Sequence, residues 1–322
     1  MDNNVANIAY NLNAYYDRVL LQPALPMLNY LKFAQIKDIP TNNTDTIKFR
    51  RYLAFSLATT PLIEGVTPVG SKLTYEVLTA QVKQYGDYVL ITEWVDWTVE
   101  DAVLTEIGKR QGEQAGQSLD SLMGTALASG TNVLYAGTNV ARNTIAAADK
   151  ISETLMKNAS LILKNQKAKY ITSIINPTDA YNTTPVPAAY ILFVHPYTTR
   201  DLKDDSGFHK VKDYPNPALA MPNEVGYIDE FRVLESQQAV VYANAGAGSA
   251  VNVYASIAVA QDSYGATRIA GKALMSIRHP FGSSGAADAL DQRGTSGWKA
   301  TFVGVRLYEA HILRIEHGTS KG

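Results

Sequence analysis

One loop limits this chain more than any other feature. Residues 58–73 read ATTPLIEGVTPVGSKL. Pro61, Gly65, Pro68 and Gly70 punctuate the stretch and predict a loop. Leu62, Ile63, Val66, Val69 and Leu73 make that loop apolar. Loop tips on monomeric soluble proteins are usually polar, because an exposed apolar cluster invites association. The flanking runs TIKFRRYLAF and KLTYEVLTAQVKQYGDYVLIT are rich in β-branched and aromatic residues, and Leu73, Tyr75 and Val77 alternate with polar neighbours. They predict a long two-stranded hairpin with the apolar stretch at its tip. An isolated hairpin is marginal in water, so this one must lie on something.

The strongest helix signal follows. Asp96 or Thr98 is positioned to cap it, Glu100 and Asp101 suit its first turn, and Val99, Val103, Ile107, Ala115, Leu119, Leu122 and Ala126 fall at helical spacing as far as a stop at Gly130. About thirty residues make a strut of roughly 45 Å. Gly108, Gly112 and Gly116 lie four apart, near one face. Each costs about 1 kcal/mol against Ala, so the spacing predicts a groove for close packing. A membrane role for these glycines fails because KRQGEQ sits among them.

Before the hairpin, residues 1–45 read as an arm that Pro23, Pro26 and Pro40 prevent from forming one long helix. After the long helix come a loop or short strand at 131–145, a second helix with Ile151, Leu155, Ala159 and Ile162 on one side, and the turn-rich NPTDAYNTTPVP. AAYILFVHP predicts a buried strand and YTTRDLKDD a short helix begun after Pro196. A loop through YPNPALAMPNEVG leads to the strands FRVLES, VNVYASIAVA and ALMSIRH, and to the strand-like end GWKATFVGVRLYEAHILRIEH, with Trp298, Ala300 and Phe302 on one face. The class is α+β, without internal repeats.

Chemistry is hard to find. The absence of cysteine excludes disulfides, thiolate metal sites and cysteine nucleophiles. His195, His209, His279, His311 and His317 show no ligand spacing, so no metal is expected; His195 reads as structural and His317 as solvated. GAGSA at 246–250 lacks the spacing and following helix of a phosphate cradle. Asp204 and Asp205 before Gly207 form only a fragment of a calcium loop and read as a solvated helix end. No catalytic constellation and no cofactor is expected. There is no secretory pattern at the N-terminus, and no window approaches the ~20 apolar residues of a membrane helix. Net charge is −1, so only local patches such as Arg50 and Arg51 offer DNA phosphates a partner. Charged residues make up 18%, below the usual quarter or so, and the 19 tyrosines suit surfaces that are partly buried and partly wet.

The order of these parts resembles the Hong Kong 97-type major capsid protein of tailed bacteriophages over essentially the whole chain. TTPLIEGVTPVGSKLT, QYGDYVLITE, ILFVHPYTTRDLKDDSGF and ALDQRGTSGWKATFVGVRLYEAHILRIEH are similar to segments of the phage N-four branch, in the same order. A departure at Asp288–Ala289–Leu290–Asp291 falls on packing and turn positions. The resemblance implies an N-terminal arm (1–45), an extended hairpin loop (46–92), a peripheral domain with the spine helix (93–150 and 266–322) and an axial domain (151–265). It implies a non-enzymatic protein that self-assembles through hexamers and pentamers into an icosahedral shell around packaged DNA. Portal, scaffold and decoration proteins are its implied partners, and the virion, assembled in the host cytoplasm, its location. The inter-subunit contact would fall on Pro61, Leu62, Ile63, Val66, Val69 and Leu73. Lys72 is a cross-linking candidate by position only. Five buried aliphatic side chains would contribute roughly 7–15 kcal/mol gross, of which association consumes much. An encapsulin-like compartment shares the fold and stands as the alternative; a soluble α+β enzyme is the distant one.

Overall fold

A computed structural model describes residues 20, 28–99, 103–175, 185–283 and 288–321. Most of the arm expected at 1–45 lies outside them, as do Glu100 and Asp101. The strands are β1 (Gln35–Ile39), β2 (Thr46–Tyr52), β3 (Tyr75–Gln81), β4 (Lys83–Thr92), β5 (Val133–Tyr135), β6 (Tyr190–Val194), β7 (Phe208–Lys210), β8 (Glu224–Ile228), β9 (Phe231–Glu235), β10 (Val241–Tyr242), β11 (Val253–Val259), β12 (Tyr264–Ile269), β13 (Leu274–His279), β14 (Arg293–Arg306) and β15 (Ile312–His317). The helices are α1 (Glu93–Thr98), α2 (Val103–Ala128), α3 (Glu153–Asn165) and α4 (Pro196–Leu202).

The strands form three sheets. The first runs β1-β12-β14-β13, with β4 also on β14. The second runs β5-β15-β11-β6-β9-β8-β7, with β10 on β11, and β2 pairs with β3 alone. Strand β6 shows how the second sheet is buried on both faces. Ile191 and Phe193 join one core with Leu119, Met123 and Leu127 of α2, while Tyr190, Leu192 and Val194 join another with Leu155, Met156, Ala159 and Leu163 of α3. Its two-residue alternation thus feeds both cores, and a strand sandwiched this way is apolar throughout. The first core also takes Trp298, Ala300 and Phe302 of β14, so α2 rests against both large sheets.

Two sequence expectations need correction. The long helix has 26 residues and starts at Val103; Asp96 and Thr98 sit inside the separate α1 instead of capping it. The Thr98 hydroxyl donates to the Trp94 carbonyl oxygen at 2.7 Å, and Val99 is extended at φ −96°, ψ 126°. Val95, Thr98 and Val99 are β-branched, and a local side-chain bond competes with helix propagation. The second strand run also splits. Pairing with β2 ends at Thr46–Gln81, and Lys83–Thr92 pairs with β14 from Phe302 to Arg293. The long, continuous edge of β14 offers β4 ten paired positions, more than the short β2 could.

Candidate functional site

The hairpin is anchored at its base and free at its tip. Phe49 and Ala80 are buried on its inner face. A Cβ on Gly265 of β12 would stand 3.0 Å from the Gln35 carbonyl oxygen of the paired β1, so the missing side chain eases that close approach, and the Phe49 ring packs beside it at 3.4 Å. Lys37 Nζ lies 5.0 Å over the same ring. Arg51 clamps the base: its Nη1 donates to the Leu307 carbonyl oxygen at 3.0 Å, its guanidinium lies 4.8 Å over Tyr308, and it pairs with Glu76. Arg51 is therefore committed to its own chain, and of the basic pair only Arg50 is exposed.

Beyond Leu53, whose N–H donates to the Thr74 carbonyl oxygen at 3.0 Å, the chain runs without regular structure. A turn closes where Val66 N–H meets the Ile63 carbonyl oxygen at 3.2 Å, with Gly65 at φ 79°, a value that favours glycine. Pro61, Leu62, Ile63, Val66, Val69 and Leu73 are all exposed, Leu62 at 78% and Val69 at 99%. A Cβ built on Gly65 or Gly70 meets nothing within 4 Å. The six tip residues share one projecting loop that the described residues of its own chain do not cover.

Gly108, Gly112 and Gly116 are all buried along α2. Gly124, which was not singled out in the sequence, meets Tyr30: a Cβ there would stand 3.1 Å from the ring. On β14, a Cβ at Gly304 would stand 2.6 Å from the Met123 sulfur, so the small residue lets helix and strand approach. Helical spacing could have flagged Gly124; nothing local flagged Gly304.

The exposed aromatic residues of α1 also escaped sequence reasoning. Trp94 is 70% exposed and Trp97 68%, beside Glu93 and Asp96. Helical spacing counted from Val99 onward gives no sign that Glu93–Thr98 form a short helix of their own.

The histidines divide. His195 caps α4, its Nδ1 accepting from Tyr197 N–H at 3.3 Å, and burial lowers its pKa. His317 is a correction: it is fully buried, not solvated. Its Nε2 lies 2.8 Å from Ser256 Oγ and its Nδ1 2.8 Å from the Gly318 carbonyl oxygen. Burial pushes its pKa down to about 4, so it is neutral, with Nδ1–H donating to the carbonyl and Nε2 accepting from the hydroxyl. Strand β15 lies between β5 and β11, and His317 pairs with Tyr254 of β11, which is why a residue near the chain end is buried. In GAGSA, Ala247–Ser249 form a single 3-10 turn. Asp205 accepts from Glu153 N–H at 3.1 Å and from Gly207 N–H at 3.0 Å, tying α3 to the loop after α4.

A family model described as "Phage capsid protein" matches residues 75–284. No curated protein matches the chain. Among solved structures, the capsid of Ralstonia phage GP4 is similar over 89% of this chain and 87% of its own, at 12% identity and a TM-score of 0.67. The capsid of cyanophage P-SCSP1u is similar over 89% and 87%, at 11% identity and 0.59. The head of Helicobacter pylori bacteriophage KHP40 is similar over 92% and 90%, at 11% identity and 0.59. At such identities the likeness is one of fold, the mixed helix-and-sheet capsid fold of the Hong Kong 97 type. The family match spans more than half of the chain, from β3 through α2 to β13, so the chain belongs to the phage capsid protein family and is a major capsid protein of a virion shell.

Proposed function

We propose that this chain builds its shell through hexameric and pentameric capsomers in which the hairpin finger of one subunit lies on a neighbour. The exposed tip carries the reading: Leu62, Ile63, Val66 and Val69 project into solvent from a base that Phe49 and Arg51 fix to the body. A rigid base with an apolar end is suited to covering a second copy. The role is structural, without catalysis. The arm at 1–45, the hairpin, the peripheral region with α2 and the axial region at 151–265 are its working parts, and close packing of Gly108, Gly112 and Gly116 supports the spine. The four sequence segments support placement in the N-four branch.

Portal protein, with scaffold or decoration proteins, is the proposed heterologous partner, and assembly takes place in the host cytoplasm. Packaged DNA would meet the shell without sequence preference, since a chain of charge −1 offers only patches, and such binding weakens steeply with salt. Electron microscopy of the purified chain tests the reading. Closed shells are expected, and replacing residues 60–70 by a short Gly-Ser turn should leave a folded subunit that no longer assembles. A subunit that stays monomeric at high concentration across salt and pH overturns it.

A further inference from the structure

We propose that the outward face of the hairpin shaft and the helix α1 are the two halves of one contact between copies of this chain. A basic, aromatic surface of one copy docks on an acidic, aromatic surface of the next. The inference deepens the assembly reading above and rests on it, but it concerns the shaft and α1, not the tip.

The shaft has two faces because side chains alternate along β2 and β3. With Phe49 and Ala80 turned to the body, Lys48, Arg50 and Tyr52 point away, paired in register with Thr79, Val77 and Tyr75. Tyr52 and Tyr75 are each 57% exposed, their rings edge-on at 6.3 Å, and the Arg50 guanidinium lies 5.8 Å over Tyr75. Among the described residues neither Lys48 nor Arg50 is in an ion pair. The face is therefore a tyrosine pair with two uncompensated cations.

Helix α1 has the opposite charge. Trp94 and Trp97 stand three residues apart and so share a side of the helix, and Glu93 and Asp96 repeat that spacing beside them. Among the described residues neither acid is in an ion pair. Two tryptophans left in water beside two free carboxylates form a surface that a cationic, aromatic partner would satisfy. Arg can stack on a Trp face and bind a carboxylate with its guanidinium fork. Aromatic residues and Arg are also the types enriched in interfaces, while isolated carboxylates there need partners.

A second copy supplies that partner. Apart from Glu93, which is half-buried, both surfaces are exposed on the same chain, so neither satisfies the other within one subunit. A contact between two different patches is heterologous, runs head to tail, and closes into a ring when its rotation permits. That is the symmetry a capsomer requires. The near-neutral chain is not drawn to itself by bulk charge; the attraction lies in these local signs.

Charge reversal and fluorescence test the contact. The pair Lys48→Glu with Arg50→Glu, or the pair Glu93→Lys with Asp96→Lys, should each raise the concentration needed for shell formation about tenfold or more, and the two pairs combined should restore it to within about threefold of the parent. A combined variant no better than either pair, or a single pair that assembles like the parent, overturns the proposal. The unmodified chain gives a second readout. It has three tryptophans, and Trp298 is only 5% exposed, so iodide quenching reports Trp94 and Trp97. Quenching should fall when shells form; tryptophans as quenchable in shells as in subunits overturn the contact. Failed assembly after tip replacement, with normal assembly of both charge-reversed pairs, removes this contact and leaves the finger reading standing. An unmodified chain that forms no shell removes both.

Discussion

Asp120, in the middle of α2, accepts a 2.9 Å hydrogen bond from the backbone N–H of Tyr30. Its second oxygen accepts from Ser236 Oγ at 3.2 Å, so one buried carboxyl joins the long helix to the segment before β1 and to the turn after β9. Burial pushes its pKa up to about 6, against the hydrogen bonds of Tyr30 and Ser236 and the charge of Lys32.

Asp120→Asn is expected to stabilise the subunit at neutral pH. The folded carboxyl holds its proton up to about 6, the unfolded one only to about 4. Between those values the folded chain binds more protons, so this group's contribution falls as pH rises through the window. Asn keeps an acceptor for Tyr30 and offers Ser236 a donor. A gain of about 1–3 kcal/mol at neutral pH, vanishing near the lower end of the window, is expected in urea titrations. A loss at neutral pH would show that the charge itself is needed.

His317 acts in the opposite sense. Its folded pKa, about 4, lies below the ordinary value of 6.5, so the unfolded chain takes the proton first on acidification. Stability is lost as pH falls from 6.5 towards 4, by about 3 kcal/mol in all. The windows of Asp120 and His317 overlap and their slopes oppose. The contributions of these two groups therefore largely offset each other, so Asp120→Asn should be more acid-labile than the parent and His317→Gln less so.

Glu316 is fully buried and takes a two-pronged contact from Arg142, Nε at 2.8 Å and Nη2 at 2.6 Å, with Arg314 Nε at 2.7 Å. Removing one partner of a buried pair leaves charge uncompensated. Glu316→Ala should cost about 3–5 kcal/mol in denaturant titration. Arg142→Ala should cost less, since Arg314 remains, although the Tyr242 ring 3.5 Å from the guanidinium would also lose its partner.

Gly112→Leu should destabilise the subunit by about 1–3 kcal/mol or prevent shell formation, because the position is buried and a side chain there overpacks it. Glu113→Ala removes one exposed ion pair with Arg110 and should cost under about 0.5 kcal/mol. Equal denaturation midpoints for the two variants would remove the packing argument.

Local signals reached as far as local physics does. Alternation and turn residues placed the β2–β3 hairpin, an apolar run placed β6, and helical spacing placed α2 and α3, because each is written in a few consecutive residues. The apolar loop announced an uncovered tip, since Leu62 and Val69 between Pro and Gly have no strand or helix face to join. The end of α1 was harder to read: Val99 turns extended there although it fits the helical spacing that continues into α2.

What the sequence by itself determined, then, is the order of elements, the apolar finger and the resemblance to phage capsid proteins, all carried by short segments. Only the tertiary structure decided that β4 leaves the hairpin for β14, that β1 runs parallel to β12, that His317 and Asp120 are buried, and that Lys48 and Arg50 face outward while Arg51 faces in. Each of these is settled by partners far along the chain. A residue's own neighbours in sequence carry no record of which distant strand will cover it, and burial, which sets both pKa and free charge, is a property of that cover.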